Sequence, residues 1–304
     1  MADVRFDGRV AIITGAGGGL GRSHAMLLAS RGASVVVNDL GGAIDGTGSD
    51  QAAAVKVCNE IKTKGGKAEP DFNSVSTMDG AMGLIETAKK AFGKVDILVN
   101  NAGILRDVSL LKMKEADWDA VIAVHLKGTF NCTKAAFPGM KEQGYGRIVN
   151  TTSSAGLFGN FGQCNYGAAK MGIVGFSNAI KHEGAKYNIK VNVIAPFGGT
   201  RLTATVLPPP MLEAMKPEVV SPMVAYMCSE ECELTGNIIV AGAAYFGRVA
   251  MREGKGVAFD SSKPVSIEMI RENLAKITDM TDNREFDSVN EEGMDRIFSN
   301  IKTG

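Results

Sequence analysis

Short, continuous apolar runs alternate with amphipathic segments along most of the chain. Runs rich in β-branched residues and bounded by glycines are typical of parallel strands that are buried on both faces. The predicted strands cover residues 10–14, 34–38, 67–72, 95–99, 147–152, 190–196 and 237–241, and helical patterns over 22–29, 51–64 and 118–140 separate some of them. This alternation predicts an α/β fold built on a doubly wound parallel sheet of about seven strands.

Two features of the predicted strands indicate how the sheet is ordered. Pro70 lies in the third strand, and because proline cannot donate to a sheet ladder, that strand is expected at an edge. An edge position agrees with the Rossmann-like strand order 3-2-1-4-5-6. Asn100, Asn101, Ala102 and Gly103 follow the fourth strand, at the sheet edge where such folds bind ligands.

From about Gly247 onward the pattern changes to amphipathic helices. Ser266 is a candidate N-cap before apolar residues at 267, 270, 274 and 277, which form one stripe at helical spacing. Met294, Ile297, Phe298 and Ile301 form a second, shorter stripe. We expect a dinucleotide-binding and catalytic domain over 1–250 and a helical C-terminal extension over 251–304. The stripes are expected to pack on the chain's own domain or on a partner subunit.

The composition of the chain argues against several classes of partner. Lys plus Arg and Asp plus Glu both number 33 in 304 residues, so no net field attracts nucleic acid or an anionic membrane. The five cysteines form no CxxC pair, which indicates reduced thiols and no metal site. The first residues do not resemble a signal peptide, and no apolar run approaches the length of a membrane span. A cytoplasmic location is therefore expected.

A glycine-rich turn, Gly15-x-x-x-Gly19-x-Gly21, lies between the first predicted strand and the first predicted helix. Glycines allow a pyrophosphate to approach the backbone, and the free N–H groups and dipole of the helix start attract it. An ordinary tight turn is the alternative interpretation. The position between a strand and a helix favours a phosphate cradle for a dinucleotide.

Asp39 directly follows the second predicted strand, about twenty residues beyond the glycine turn. A carboxylate there can accept hydrogen bonds from both ribose hydroxyls of an adenosine and would repel a 2′-phosphate. No Arg or Lys lies within the glycine turn to offset the repulsion, so NAD is expected rather than NADP. The segment 40–50 that follows is longer than a usual strand-to-helix connection, and it is either functional or mobile.

Tyr166 and Lys170 are four residues apart in a helical segment, so their side chains share one face. Because a nearby ammonium favours the phenolate, Lys170 is expected to lower the pKa of Tyr166 from its ordinary value near ~10. Ser153 follows the fifth predicted strand and can hydrogen-bond a substrate oxygen. The three groups suit proton transfer to or from an alcohol or carbonyl oxygen. A solvated helix face is the alternative for the Tyr and Lys pair.

The combination of these motifs, in this order, resembles the short-chain dehydrogenase/reductase family over about residues 5–245. It consists of Thr14 with the glycine turn, the Asn-Asn-Ala-Gly segment 100–103, Ser153, and Tyr166-x-x-x-Lys170. Within the family, the stretches 5–10, 37–42, 101–107 and 159–163 resemble the branch of (3R)-hydroxyacyl-CoA dehydrogenases. A C-terminal helical extension near the active site and dimer interface recurs in that branch. The resemblance implies an NAD cofactor, an acyl-CoA substrate and a homodimer.

The resemblance also implies roles for individual residues. It assigns acid/base catalysis to Tyr166, the nicotinamide ribose to Lys170 and the substrate oxygen to Ser153. His125 completes the catalytic set, because it stands where many members have the asparagine of a water relay to the lysine. The relay then runs through the imidazole or is absent, and His125 is otherwise a packed structural residue. The implied cofactor-binding residues are Gly15, Gly19, Leu20, Gly21, Asp39, Asn73 (in place of an adenine-contacting Asp), Ser74, Val75, Asn101, Ala102, Gly103, Tyr166, Lys170 and Pro196.

The resulting hypothesis is an oxidoreductase that transfers a hydride between NAD and a secondary alcohol, with 3-hydroxyacyl-CoA and 3-oxoacyl-CoA as the substrate pair. The alternative is a dehydrogenase of steroids or other hydrophobic, cyclic alcohols. A Pro- and Met-rich segment over 197–222, with Pro208 to Pro210, is predicted as an apolar lid that would accept either class, or as an inert loop. Two further interpretations are a cofactor-sensing protein without catalysis and C-terminal helices that recruit a partner enzyme.

Overall fold

A mostly parallel sheet organises the first part of the chain. In the computed structural model, which describes residues 3–197 and 214–301, its strands are β1 Val10–Thr14, β2 Ser34–Asn38, β3 Lys67–Asp71, β4 Ile97–Asn100, β5 Gly146–Thr151, β6 Ile189–Pro196, β7 Ile238–Gly242 and β8 Tyr245–Val249. The spatial order is β3-β2-β1-β4-β5-β6-β7-β8, and β1 to β7 pair in parallel. The predicted doubly wound sheet is confirmed, with the third strand at its edge.

The last strand, β8, has no counterpart among the predicted strands. A two-residue turn at Ala243 and Ala244, with φ of 48° and 61°, joins it to β7. A turn this short returns the chain antiparallel to the preceding strand. Asn or Gly usually marks such a hairpin, and two alanines in the left-handed region give no such signal.

Helices cover both faces of the sheet. They are α1 Gly19–Ser30, α2 Ala52–Thr63, α3 Met78–Phe92, α4 Glu115–Ile122, α5 Gly128–Gln143, α6 Ser154–Phe158, α7 Cys164–Gly184 and α8 Ser221–Cys228. Successive strand residues point to opposite faces. Ile13 therefore packs in the core cluster that includes Leu28 of α1 and Val224 of α8. Ile12 packs in the other cluster, with Leu84 of α3 and Met140 of α5.

The helix predicted over 118–140 is interrupted. A π-helical turn, Ala123–Lys127, joins α4 to α5, and it contains His125. A hydrophobic repeat cannot reveal one inserted residue, so the sequence pattern predicts a continuous helix. Residues 198–213, which include the proline run of the predicted lid, lie outside the described residues. After them come a 3₁₀ turn, Pro217–Val219, and then α8.

The contacts divide the chain into two compact units, Met1–Arg248 and Val249–Gly304. The second unit contains β9 Glu253–Gly254 paired antiparallel with β10 Asn283–Arg284, α9 Ile267–Ile277 and α10 Val289–Glu292. Ser266 caps α9 by accepting the backbone N–H of Met269, as predicted. A π turn, Gly293–Ile297, and a 3₁₀ turn, Phe298–Asn300, replace a regular second helix. Among the described residues, every helix is too short or too polar to cross a membrane.

Candidate active site

The glycine turn joins β1 to α1 under tight steric constraints. Gly15 has a φ of +63°, and a Cβ on it would lie 2.8 Å from the Cα atom of Ala102. A Cβ on Gly21 would overlap the carbonyl group of Gly15. Gly18 provides no side-chain cap, and the first turn of α1 holds no acidic residue. The N–H groups at the start of α1 are therefore available to an anion.

The segments after β1 and β4 are hydrogen-bonded to each other. Thr14 Oγ1 accepts the backbone N–H groups of Asn101 and Ala102, both at 3.0 Å. Asn101 Nδ2 donates to the carbonyl oxygens of Thr14 at 2.9 Å and Gly15 at 3.1 Å. Asn101 is thus a positioning residue for the glycine turn, with its amide donors already bonded to the protein.

The Asp39 carboxylate lies against the glycine turn. Its Oδ2 accepts the N–H of Gly17 at 2.7 Å, and its Oδ1 accepts the N–H of Gly41 at 2.6 Å. A Cβ on Gly17 would lie 2.8 Å from Asp39 Oδ2, so only glycine leaves room for this contact. The acidic side chain is held at the end of β2, as the sequence predicts for a ribose acceptor.

Asn73 is held by a buried carboxylate that the sequence pattern does not single out. Asp71 is 3% exposed. Its carboxylate oxygens accept hydrogen bonds from the side chains of Asn38 at 2.7 Å, Asn73 at 2.8 Å and Thr87 at 2.7 Å. Asp71 Oδ1 also accepts the backbone N–H of Asn73 at 3.0 Å. The two hydrogen bonds to Asp71 therefore fix the orientation of Asn73.

These segments enclose a cleft of about 500 Å³ at the carboxyl ends of the strands. Of the predicted cofactor-binding residues, the lining includes Gly15, Gly19, Leu20, Gly21, Asp39, Asn73, Ser74, Val75, Asn101, Ala102 and Gly103. Pro196, which ends β6, is not part of this lining, and neither are Tyr166 and Lys170. A hollow of about 540 Å³ also runs along α2, but its walls are side chains of that helix and its C-cap alone. The cleft beside the glycine turn, where polar groups converge from several strands, fits a dinucleotide.

The predicted catalytic side chains lie together beside this cleft. Ser153 caps the short helix α6, with its Oγ accepting the N–H of Ala155 at 3.2 Å. Its hydroxyl lies near the Tyr166 side chain and acts to lower the pKa of the phenol. Lys170 Nζ lies 5.5 Å from the centroid of the Tyr166 ring. The arrangement brings a hydroxyl, a phenol and an amine close together beyond the carboxyl end of β5.

The pKa of Tyr166 is raised, which differs from the expectation. Burial raises it, and the nearby Ser153 hydroxyl opposes that effect only in part. Lys170 is itself 3% exposed, and burial lowers its pKa from 10.5 to about 7. Its Nζ donates to the carbonyl oxygen of Thr151 at 2.7 Å rather than to the phenol. A lysine that is only partly charged at neutral pH stabilises a phenolate less than a full ammonium would.

His125 packs edge-on against Tyr166, with ring centroids 5.2 Å apart and an interplanar angle of 87°. Its Nε2 lies 2.7 Å from the carbonyl oxygen of Ile104 and 3.0 Å from the N–H nitrogen of the same residue. Burial lowers its pKa to about 3, so the ring is neutral at physiological pH. Its Nδ1 is buried without a hydrogen-bond partner. A Cβ on Gly103 would overlap the imidazole, which explains the glycine at that position.

Sequence reasoning does not find several residues that support Tyr166. Asn165 is fully buried, and its Nδ2 donates to the carbonyl oxygens of Arg106 at 3.1 Å and Asp117 at 3.2 Å. Gln163 Nε2 donates to Asp107 Oδ2 at 2.6 Å. These bonds tie the start of α7 to the segment after β4. An asparagine beside the tyrosine is the one signal in the sequence, but its partners are carbonyls that the sequence does not reveal.

The fold and this site are those of a dinucleotide-dependent dehydrogenase. The family described as short chain dehydrogenase matches residues 9–207. The chain therefore belongs to the short-chain dehydrogenase family.

Individual relatives narrow the comparison. The peroxisomal multifunctional enzyme type 2 of Drosophila melanogaster is 52% identical over 280 residues, which cover 91% of this chain and 46% of that protein. The chain thus spans about half the length of this relative. A short-chain type dehydrogenase/reductase of Mycobacterium tuberculosis is 52% identical over 273 residues, covering 90% of this chain and 95% of that one. A structure of 7α-hydroxysteroid dehydrogenase with NADH and 7-oxo glycochenodeoxycholic acid is 29% identical, with a TM-score of 0.71, over 80% of this chain and 97% of that chain.

Proposed function

We propose that the chain transfers a hydride between NAD and a secondary alcohol, with (3R)-3-hydroxyacyl-CoA and 3-oxoacyl-CoA as the substrate pair. One observation carries the proposal: Ser153, Tyr166 and Lys170 meet beside a cleft whose glycine turn and Asp39 suit a dinucleotide. The family and the neighbour solved with NADH support a nicotinamide cofactor. The similarity to the fly enzyme, together with the stretches that resemble hydroxyacyl-CoA dehydrogenases, supports an acyl thioester.

The proposed mechanism assigns one task to each side chain. Ser153 holds the substrate oxygen, and the Tyr166 phenolate takes the hydroxyl proton during oxidation or returns it during reduction. Lys170 binds the nicotinamide ribose and stabilises the phenolate. The nicotinamide, when bound, supplies the hydride acceptor or donor. Because burial raises the pKa of Tyr166 and the Ser153 hydroxyl lowers it only in part, the proposal assigns the remaining stabilisation of the phenolate to Lys170.

His125 belongs to the proposed catalytic set as a neutral group. With a pKa of about 3, it cannot carry a proton as a stable imidazolium at neutral pH. A relay through His125 would therefore use its uncharged ring, entering at the unpartnered Nδ1. The edge-on contact also fixes the plane of the Tyr166 ring.

The preference for NAD over NADP is part of the proposal. Asp39 brings a negative charge to the ribose end of the cleft, where a 2′-phosphate would meet it. Arg22, the first cation after the glycine turn, is paired with Glu60 of α2. This pairing leaves the Arg22 charge compensated and supports NAD.

Substitution of Tyr166 tests the function. Tyr166→Phe should lower turnover severely and leave NADH binding nearly intact, whereas Tyr187→Phe, outside the cleft, should change neither. NADH formation is followed with a 3-hydroxyacyl-CoA, the free hydroxy acid and a hydroxysteroid. Activity with the thioester alone supports the proposal. Activity with the steroid alone favours the alternative alcohol dehydrogenase, and full activity of Tyr166→Phe would refute the assigned chemistry.

Assembly and location complete the proposal. The division between Arg248 and Val249 supports a domain boundary near 250. Ile270 and Leu274, on the apolar stripe of α9, are 42% and 53% exposed, which supports a homodimer. Sedimentation of the chain with and without the extension tests this.

The cytoplasmic location stays a prediction, and the name of the fly relative, a peroxisomal enzyme, favours a different compartment. Imaging of the tagged chain decides between the two compartments.

A further inference from the structure

The long segment 40–50 folds into a closed loop, which we call the strap. The N–H of Asp50 donates to the carbonyl oxygen of Leu40 at 3.0 Å and closes the base of the strap. At its tip, the N–H of Ala43 donates to the carbonyl oxygen of Thr47 at 2.8 Å. Asp45 Oδ1 accepts both the N–H of Thr47 at 3.0 Å and its hydroxyl at 2.7 Å. The strap is therefore a compact loop held by its own hydrogen bonds.

The tip of the strap contacts the segment that follows β4. The N–H of Leu105 donates to the carbonyl oxygen of Ile44 at 2.9 Å. Arg106 Nε donates to the carbonyl oxygen of Asp45 at 3.0 Å. Gly46 packs closely against the side chain of Ile104, because a Cβ added to Gly46 would lie 3.1 Å from Ile104 Cδ1. Two hydrogen bonds and one apolar contact thus join the two segments.

The sheet order shows what this contact crosses. The strap follows β2 and the 104–106 segment follows β4, while β1 lies between those two strands. The joined segments therefore pass over the carboxyl end of β1, where the glycine turn begins. Both also line the cleft of about 500 Å³. A dinucleotide with its pyrophosphate on the glycine turn would lie beneath the strap.

Arg106 connects this strap to the catalytic side of the cleft. Its Nη1 donates to the carbonyl oxygen of Ala116 at 3.3 Å and lies 3.5 Å from Asp117 Oδ1. The backbone carbonyl oxygen of Arg106 accepts a hydrogen bond from Nδ2 of Asn165, the residue before Tyr166. The side chain is 26% exposed, so substitution does not open a core cavity.

We propose that Arg106 is a positioning residue that latches the strap over the bound dinucleotide, and that opening of this latch governs release of the reduced cofactor. This inference rests on the proposed function, because it requires NAD(H) in the cleft. The side-chain partners of Arg106 are Asp45, Ala116 and Asp117, none of which is a proposed catalytic residue or part of the glycine turn. Arg106 acts through the carbonyl oxygen of Asp45.

The test measures NADH dissociation directly. Arg106→Gln removes the charge-assisted hydrogen bond to the carbonyl oxygen of Asp45. NADH release, followed by stopped-flow fluorescence, should become about tenfold faster, while single-turnover hydride transfer stays unchanged. Arg5→Gln, which breaks an exposed pair with Asp7, is the matched control and should leave the release rate unchanged. Asp45→Ala keeps the backbone carbonyl that accepts Arg106 but removes the carboxylate that holds the strap tip at Thr47, and it should also speed NADH release.

The outcomes separate the latch from the proposed function. Faster release in both strap variants with intact hydride transfer supports the latch. NADH binding with a wild-type release rate in Arg106→Gln and Asp45→Ala overturns the latch and leaves the function standing. Equal slowing of hydride transfer and binding in Arg106→Gln indicates a purely structural role and also overturns it. A wild-type protein that binds no NADH overturns both proposals.

Discussion

Replacing Lys170 by methionine should make the protein more stable and inactive. Lys170 is 3% exposed, and its pKa falls to about 7 in the folded chain from 10.5. Between these two values the unfolded chain binds more protons than the folded chain does, so stability rises with pH. The stability associated with Lys170 is thus fully present above pH 10.5 and is lost as the pH falls to about 7.

The structure gives the size of the effect. With these pKa values, the buried lysine destabilises the folded state by about 4 kcal/mol at pH 7 and by about 1.4 kcal/mol at pH 9.5. Methionine removes this cost but leaves the carbonyl oxygen of Thr151 without its donor, which opposes it by about 1–3 kcal/mol. The net gain for Lys170→Met is therefore about 1–3 kcal/mol at pH 7, and it should disappear near pH 9.5.

Urea unfolding followed by circular dichroism at both pH values measures this difference. Other titrating groups affect the wild type and Lys170→Met alike, so subtraction isolates Lys170. Lys64→Met, on the exposed end of α2, is the control and should show no pH-dependent difference. A stability difference between Lys170→Met and the wild type that is the same at both pH values would refute the reasoning, because it would mean that Lys170 is not protonated differently in the two states.

Four further outcomes follow from the structure. Asp39→Asn removes the charge at the ribose end of the cleft, and the preference for NAD over NADP, taken as a ratio of Kd values, should fall at least about tenfold. His125→Asn should keep the shape of the pH–rate profile between about pH 6 and 9, since the imidazole is neutral there; a lost limb would contradict this. Burial lowers the pKa of His24 and of His125 from 6.5 to about 3, so the unfolded chain binds the extra protons as the pH falls. Each should cost about 3 kcal/mol of stability by about pH 4.5, measured by denaturant unfolding across that range. Leu98→Ala, at a fully buried position of β4, should destabilise the fold by about 3 kcal/mol in urea unfolding.

The parts of the fold that local sequence determines could be predicted. Strands such as β1 and β2 are buried on both faces, so their apolar runs mark them. Pro70 marks the sheet edge because it lacks a donor, and β3 lies there. The turn into β8 and the π turn at His125 leave no trace in the apolar pattern, because the first uses alanines and the second inserts one residue without changing the composition.

For the candidate site, the sequence pattern predicted which residue types meet but not their electrostatic state. The spacing of Tyr166 and Lys170 places them on one helix face, and their side chains do lie close together. The direction of the Tyr166 pKa shift depends on burial, which only the packed structure provides. Similarly, the strap contacts Arg106 through the carbonyl oxygen of Asp45, and every residue type carries that acceptor. The length of the 40–50 segment suggests a function, but the sequence does not reveal that this segment contacts residues 104–106.

Because of the π-helical turn Ala123–Lys127, the packing of α4 and α5 depends on the number of residues between them more than on which residues these are. Each residue rotates an α-helix by about 100°, so one inserted residue sets the faces of α4 and α5 out of phase. Val121 of α4 and Cys132 of α5 are both fully buried with this offset. Deletion of a single residue here would turn one of these helices away from its neighbours, even if every remaining side chain were retained. Loop grafts and chimeras should therefore preserve the residue count between Trp118 and Cys132 before they preserve its sequence.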